Sequence, residues 1–102
     1  MTRDELETLF GYTDTSPNAI SRRLIAARKS VQMLAKDVAA EIGIPKQTYH
    51  SQEARGAPSV QTGRYFLRAH GIDFNYLFYG DFDHLDASVR DRLIAILADA
   101  TA

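Results

Sequence analysis

Residues 35–53, AKDVAAEIGIPKQTYHSQE, constrain this chain more than any other stretch. They read as two short helices broken at Gly43-Ile44-Pro45. Glycine takes a positive φ without steric cost, and proline cannot continue a helix yet can stand at the start of the next one. Small Ala39 sits four residues before Gly43, and Ile42, Ile44 and Tyr49 are spaced to bury against one another. A helix pair joined this way is the pattern of a helix-turn-helix.

The flanking sequence reads as further helices. Residues 4–10 are a short candidate beginning near Thr2 or Arg3 and stopped by Gly11, too short to stand without docking on something. Ser16-Pro17 is a strong start, a capping hydroxyl ahead of proline at the first helical position, for a helix reaching about residue 30. Ile20, Leu24, Ala27 and Val31 mark its buried face, with Arg22, Arg23 and Lys29 expected off it. Ser59 is a plausible cap for a helix to about residue 70 with Val60, Phe66, Leu67 and Ala69 as its apolar positions. Gly63 inside it costs roughly 1 kcal/mol relative to alanine, which suggests a close approach there. Asp73 caps residues 74–79, Gly80 ends them, and residues 86–99 carry the stripe Val89, Leu93, Ile96, Leu97. No segment alternates with period two for long enough to argue a strand, so the expected class is all-α.

The length suggests one domain with an added element at each end: residues 1–18, a central unit over 19–80, and residues 81–102. Cysteine is absent, which excludes disulfides and thiolate metal sites. With no basic-then-apolar leader and no apolar run near the ~20 residues of a membrane span, a soluble, cytoplasmic protein is expected.

The net charge of −1 hides a strong asymmetry. Residues 1–17 carry Arg3 against four acidic side chains, and residues 69–102 carry two basic against six acidic. Between them, nine basic residues (Arg22, Arg23, Arg28, Lys29, Lys36, Lys46, Arg55, Arg64, Arg68) face three acidic ones (Asp37, Glu41, Glu53). Net positive charge is confined to the segment holding the broken helix pair, as expected of a DNA-facing surface, the other reading being an ordinary solvated face. Catalysis finds little support. His50, His70 and His84 lack metal-ligand spacing, adjacent His50 and Ser51 point different ways on a helix, and no glycine-rich phosphate loop is present. No cofactor or metal is expected.

The register Leu24, Arg28, Val38-Ala39, Gly43-Ile44, Thr48-Tyr49, Glu53, Gly56, Pro58, Gly71-Ile72, Leu77 and Gly80 resembles the lambda-repressor and Cro-like helix-turn-helix domains, also called the xenobiotic response element family. It runs without gaps over about residues 19–80. The resemblance implies a five-helix DNA-binding domain, here with short extra helices at both termini. It also implies that the helix from residue 46 reads base edges through Lys46, Gln47, His50 and Ser51. Lysine suits guanine O6/N7 and glutamine suits adenine N6/N7. Arg28 and Glu53 stand where the family pairs an arginine with the glutamate ending the reading helix. With Ala39, Gly43 and Tyr49 they would hold that helix in place. Phosphate contacts are expected from Arg22, Arg23, Lys36, Arg55 and Arg64.

Three positions depart from the family pattern. Ala35 replaces a glutamine that bridges phosphate, Leu34 replaces a capping hydroxyl, and Gln52 replaces an apolar residue, so it is either hydrogen-bonded or its packing is altered. The resemblance implies double-stranded DNA as partner and a homodimer on a pseudo-palindromic operator, with repression the expected outcome. Phe74, Tyr76, Phe78, Tyr79 and Phe82, with Val89, Leu93, Ile96 and Leu97, either form the dimer surface or close the monomer's own core. Two other readings stay open: an antitoxin that folds over a small toxin, and a protein-interaction module that has lost DNA binding.

Overall fold

The structure, a computed structural model, describes residues 1–101, with side chains described for residues 1–99. Seven helices follow in order among the described residues: α1 (Arg3–Phe10), α2 (Pro17–Ser30), α3 (Ala35–Ile42), α4 (Lys46–Arg55), α5 (Val60–His70), α6 (Phe74–Tyr79) and α7 (Ala87–Thr101). No strand occurs among them, so the chain is all-α. Ala102, the last residue of the expected C-terminal element, lies outside the described residues.

Local chemistry sets most of the boundaries. Thr2 closes a reciprocal capping box with Glu5 at the start of α1, its N–H donating to Oε1 at 3.0 Å and its hydroxyl accepting from the Glu5 N–H at 3.2 Å. Ser16, Ser59 and Asp73 cap α2, α5 and α6 by accepting from the N–H three residues on. Gly43 ends α3 at φ +89, a conformation an L side chain resists. Leu34 and Pro45, at the starts of α3 and α4, supply no side-chain cap.

α2 is the central helix. α4 and α6 pack on it, α7 lies along it, α1 packs on α7, and α3 joins α4 to α5. Leu9 and Phe10 of α1 and Val89, Leu93 and Leu97 of α7 belong to the same buried cluster as Leu24, Ala27, Val38, Tyr49, Phe66 and Leu77. The terminal elements therefore share the core of residues 19–80, which gives a chain this short the buried area it needs.

Arg23 corrects the expected face of α2. Its side chain is almost fully buried and is no phosphate ligand. Nε donates to Leu77 O at 3.1 Å, Nη1 to Phe10 O and Gly11 O at 3.1 and 3.0 Å, and Nη2 to Asp14 O at 2.6 Å. The carbonyl ends of α1 and α6 thus converge on one guanidinium, as the negative ends of helix dipoles favour. Burial pushes the Arg23 pKa down, yet a guanidinium stays charged. Arg22, also expected on phosphate, is turned inward as well. It donates to Leu9 O at 2.7 Å and Leu97 O at 3.4 Å, tying α2 to α1 and α7.

The expected dimer surface divides. Tyr76, Phe82, Val89, Leu93 and Leu97 are buried in the monomer's own core, which removes them from any interface. Tyr76 sends its hydroxyl to Arg23 O at 2.8 Å. Ile96, Phe74 and Phe78 are half-buried, and Tyr79 is exposed. α5 also differs from its expected face: Thr62, Gly63 and Phe66 point inward, whereas Val60, Leu67 and Ala69 are exposed. The reason lies at Gly63, where the Phe74 ring approaches so closely that an added Cβ would stand 2.5 Å from it.

Candidate nucleic-acid interface

α4 follows the turn at Gly43-Ile44-Pro45 and turns Tyr49 and Glu53, one helical turn apart, toward α2. Tyr49 is wholly buried and donates its hydroxyl proton to Glu53 Oε2 at 2.5 Å. Arg28 reaches across from α2 as a fork, Nε to Oε2 at 2.7 Å and Nη2 to Oε1 at 3.3 Å, while Nη1 donates to Met33 O at 3.1 Å. Ser21 donates to Glu53 O at 2.6 Å. The bond to Glu53 holds the Arg28 pKa up, and burial first, then the same carboxylate, pushes the Tyr49 phenol up. Tyr49 therefore stays a neutral donor and Arg28 a cation, the forms this network requires.

The far end of α4 is fixed by backbone. Gly56, at φ +63, lies so close to the start of α2 that a Cβ there would stand 1.9 Å from Pro17 O. Gln52, the polar residue at an otherwise apolar family position, accepts from Ser59 N–H at 3.0 Å and links α4 to the start of α5. At the turn, Gly43 N–H and Ile44 N–H both donate to Ala39 O, at 2.9 and 3.1 Å, and Ala39 is buried. Tyr65 of α5 donates to Glu41 Oε1 of α3 at 2.8 Å and lies 3.0 Å from His70 Nε2. Five residues expected to support α4, namely Arg28, Ala39, Gly43, Tyr49 and Glu53, are thus all found at the turn or beneath the helix.

With those contacts made, the outward face of α4 is free. Lys46, Gln47 and His50 are exposed and line one shallow depression. Gln47 continues into a second, shared with Thr48, Ser51, Gln52, Arg55 and Ala57, in which Ser51 is half-buried. The four expected reading residues therefore lie on one continuous surface. Thr48, part of the register that carries the resemblance but not among the four expected reading residues, joins them. Its place beside inward Tyr49, one turn before Ser51 and Gln52, was the available signal.

Of the five expected phosphate ligands, Lys36, Arg55 and Arg64 are exposed, on α3, α4 and α5 respectively. The first-turn N–H groups of α3 and α4 lack side-chain acceptors, because Leu34 and Pro45 offer none. Leu34 is 60% exposed. Among the described residues no group of three His, Cys, Asp or Glu side chains stands close enough to hold a metal ion. No helix among them is long and apolar enough to cross a membrane. No protein-family model matches the chain, and neither a curated protein nor a solved structure matches it.

Proposed function

We propose that this chain is a sequence-specific DNA-binding transcriptional regulator of the lambda-repressor and Cro-like helix-turn-helix type, repressing as a dimer on a pseudo-palindromic operator. The observation that carries the reading is α4 itself. A network of part-buried Arg28 with buried Glu53 and Tyr49 seats it, while Lys46, Gln47 and His50 project outward with Ser51 and Thr48 beside them. Hydrogen-bonding side chains on one rigid helix face are what base-edge readout in a major groove requires. The N-terminus of α4, with no side-chain cap and no acidic residue in its first turn, supplies N–H donors and a positive dipole end suited to phosphate.

Inward-turned Arg22 and Arg23 leave Lys36, Arg55 and Arg64 as the phosphate ligands. Three contacts at about 0.9 each give a log–log salt slope of about −2.7 per protomer. For the dimer, the apolar groups still accessible include Ile96 on α7, and Val60 and Leu67 on α5 with Phe74, Phe78 and Tyr79 on α6. Phe74 and Phe78 stack with ring centroids 6.0 Å apart, and Phe74 fills the space over Gly63.

Selection of bound fragments from random double-stranded DNA tests the reading. An enriched, two-fold symmetric motif with half-sites about one helical turn apart is expected, with affinity falling at the stated slope. Failure to enrich any motif at low salt overturns it.

A further inference from the structure

Away from the α4 face, α2 and α7 leave a groove between them. Its volume is about 570 Å³, and Asn18, Ser21, Arg22, Ile25, Lys29 and Ile96 line it together with Ala26, Leu97 and Asp99. That volume falls within the roughly 300–1,000 Å³ of small-molecule sites. Ile25 and Ile96, both only half-buried, make an apolar floor between the helices. Two cations, Arg22 and Lys29, face one carboxylate, Asp99, so the rim formed by the described residues is net positive. Arg22 spends part of its fork on the Leu9 and Leu97 carbonyls, while Lys29 is exposed and enters no ion pair among the described residues.

An apolar floor under a net positive rim is complementary to one kind of ligand. We propose that this groove binds a small amphipathic carboxylate, its chain over Ile25 and Ile96 and its anionic head on Lys29, with the Arg22 charge beside it. The apolar body is driven in by burial, and the charged head selects the anion over a neutral analogue. Ser21 lines the groove and also donates to Glu53 O, so an occupant lies against a residue hydrogen-bonded to the helix proposed to read DNA. The site itself does not depend on that reading, because binding can be measured without DNA.

The probe is sodium decanoate below its micellar concentration, titrated into the isotopically labelled full chain and followed by amide resonances. Saturable shifts grouped at residues 18–29 and 94–99 are expected. Decanol, of equal chain length but uncharged, should bind at least tenfold more weakly. Lys29→Glu, an exposed change that a melting curve can show to be folded, should weaken decanoate at least tenfold while leaving decanol unchanged. Shifts that are absent or scattered over the molecule overturn the proposal, as does equal affinity for decanoate and decanol. An unchanged decanoate affinity in Lys29→Glu removes the assigned head-group contact and overturns it too.

Discussion

Replacing Arg23 by methionine separates two roles that an arginine on a basic segment can play. The change keeps a long side chain and removes four charge-assisted hydrogen bonds, to the carbonyls of Leu77, Phe10, Gly11 and Asp14. Gly11 O still accepts from Asp14 N–H at 2.9 Å, so the loss falls on the other three. Each buried carbonyl left without a donor costs about 1–3 kcal/mol. Opposing this, the variant no longer buries an ion, a relief of several kcal/mol that the downward shift of the Arg23 pKa reflects. The buried Leu77 and Phe10 carbonyls lose their donor while the part-buried Asp14 carbonyl can turn to water, so after the offset the net expectation is a loss of about 1–3 kcal/mol. For a domain this size that is a large part of the total stability. Urea unfolding followed by circular dichroism reads it as a midpoint lowered by roughly 1 M, with unchanged slope. Arg23→Lys should be nearly as damaging, since an ammonium cannot span three chain segments as the planar fork does. A midpoint within about 0.5 M of the parent, with DNA affinity lost instead, would refute the assignment and return Arg23 to the phosphate ligands.

Three further outcomes follow from the packing. Glu53→Ala leaves the part-buried Arg28 guanidinium without its carboxylate and the buried Tyr49 hydroxyl without its acceptor, and a thermal melt should register a loss of about 3 kcal/mol. Gly56→Ala places a methyl group against the Pro17 carbonyl and should cost clearly more than Gly43→Ala. The latter meets no atom within 4 Å and bears only the left-handed penalty of about 1–2 kcal/mol; equal melts for the two would contradict the close approach. Stability should also fall as pH rises above about 10. Tyr49 and Tyr76 are held above the ordinary phenol value by burial, so the unfolded chain loses these protons first and each further unit of pH favours it. A flat stability profile from pH 9 to 11 would count against that burial.

Much of the chain's local structure was legible in its residues. Caps at Thr2, Ser16, Ser59 and Asp73, and stops at Gly11, Gly43, Gly71 and Gly80, act on their immediate neighbours, so helix boundaries follow from short-range chemistry. The inward pair Tyr49 and Glu53 and the outward set Lys46, Gln47 and His50 follow from helical spacing within α4. Arg23 shows where that reading stops. It lies three residues after Ile20, within the spacing of the buried face, yet its charge argued for the surface. What admits it is the meeting of the α1 and α6 carbonyl ends, brought together from opposite parts of the sequence. The same holds for Tyr76, Leu93 and Leu97. Their apolar character fixed that they would be covered, but only the packing of α7 and α6 on α2 decided that their own chain covers them. Residue type and spacing determined the helices and the two faces of α4. Long-range contacts decided which charges turn inward, because a buried cation is tolerated only where the assembled backbone presents it with acceptors.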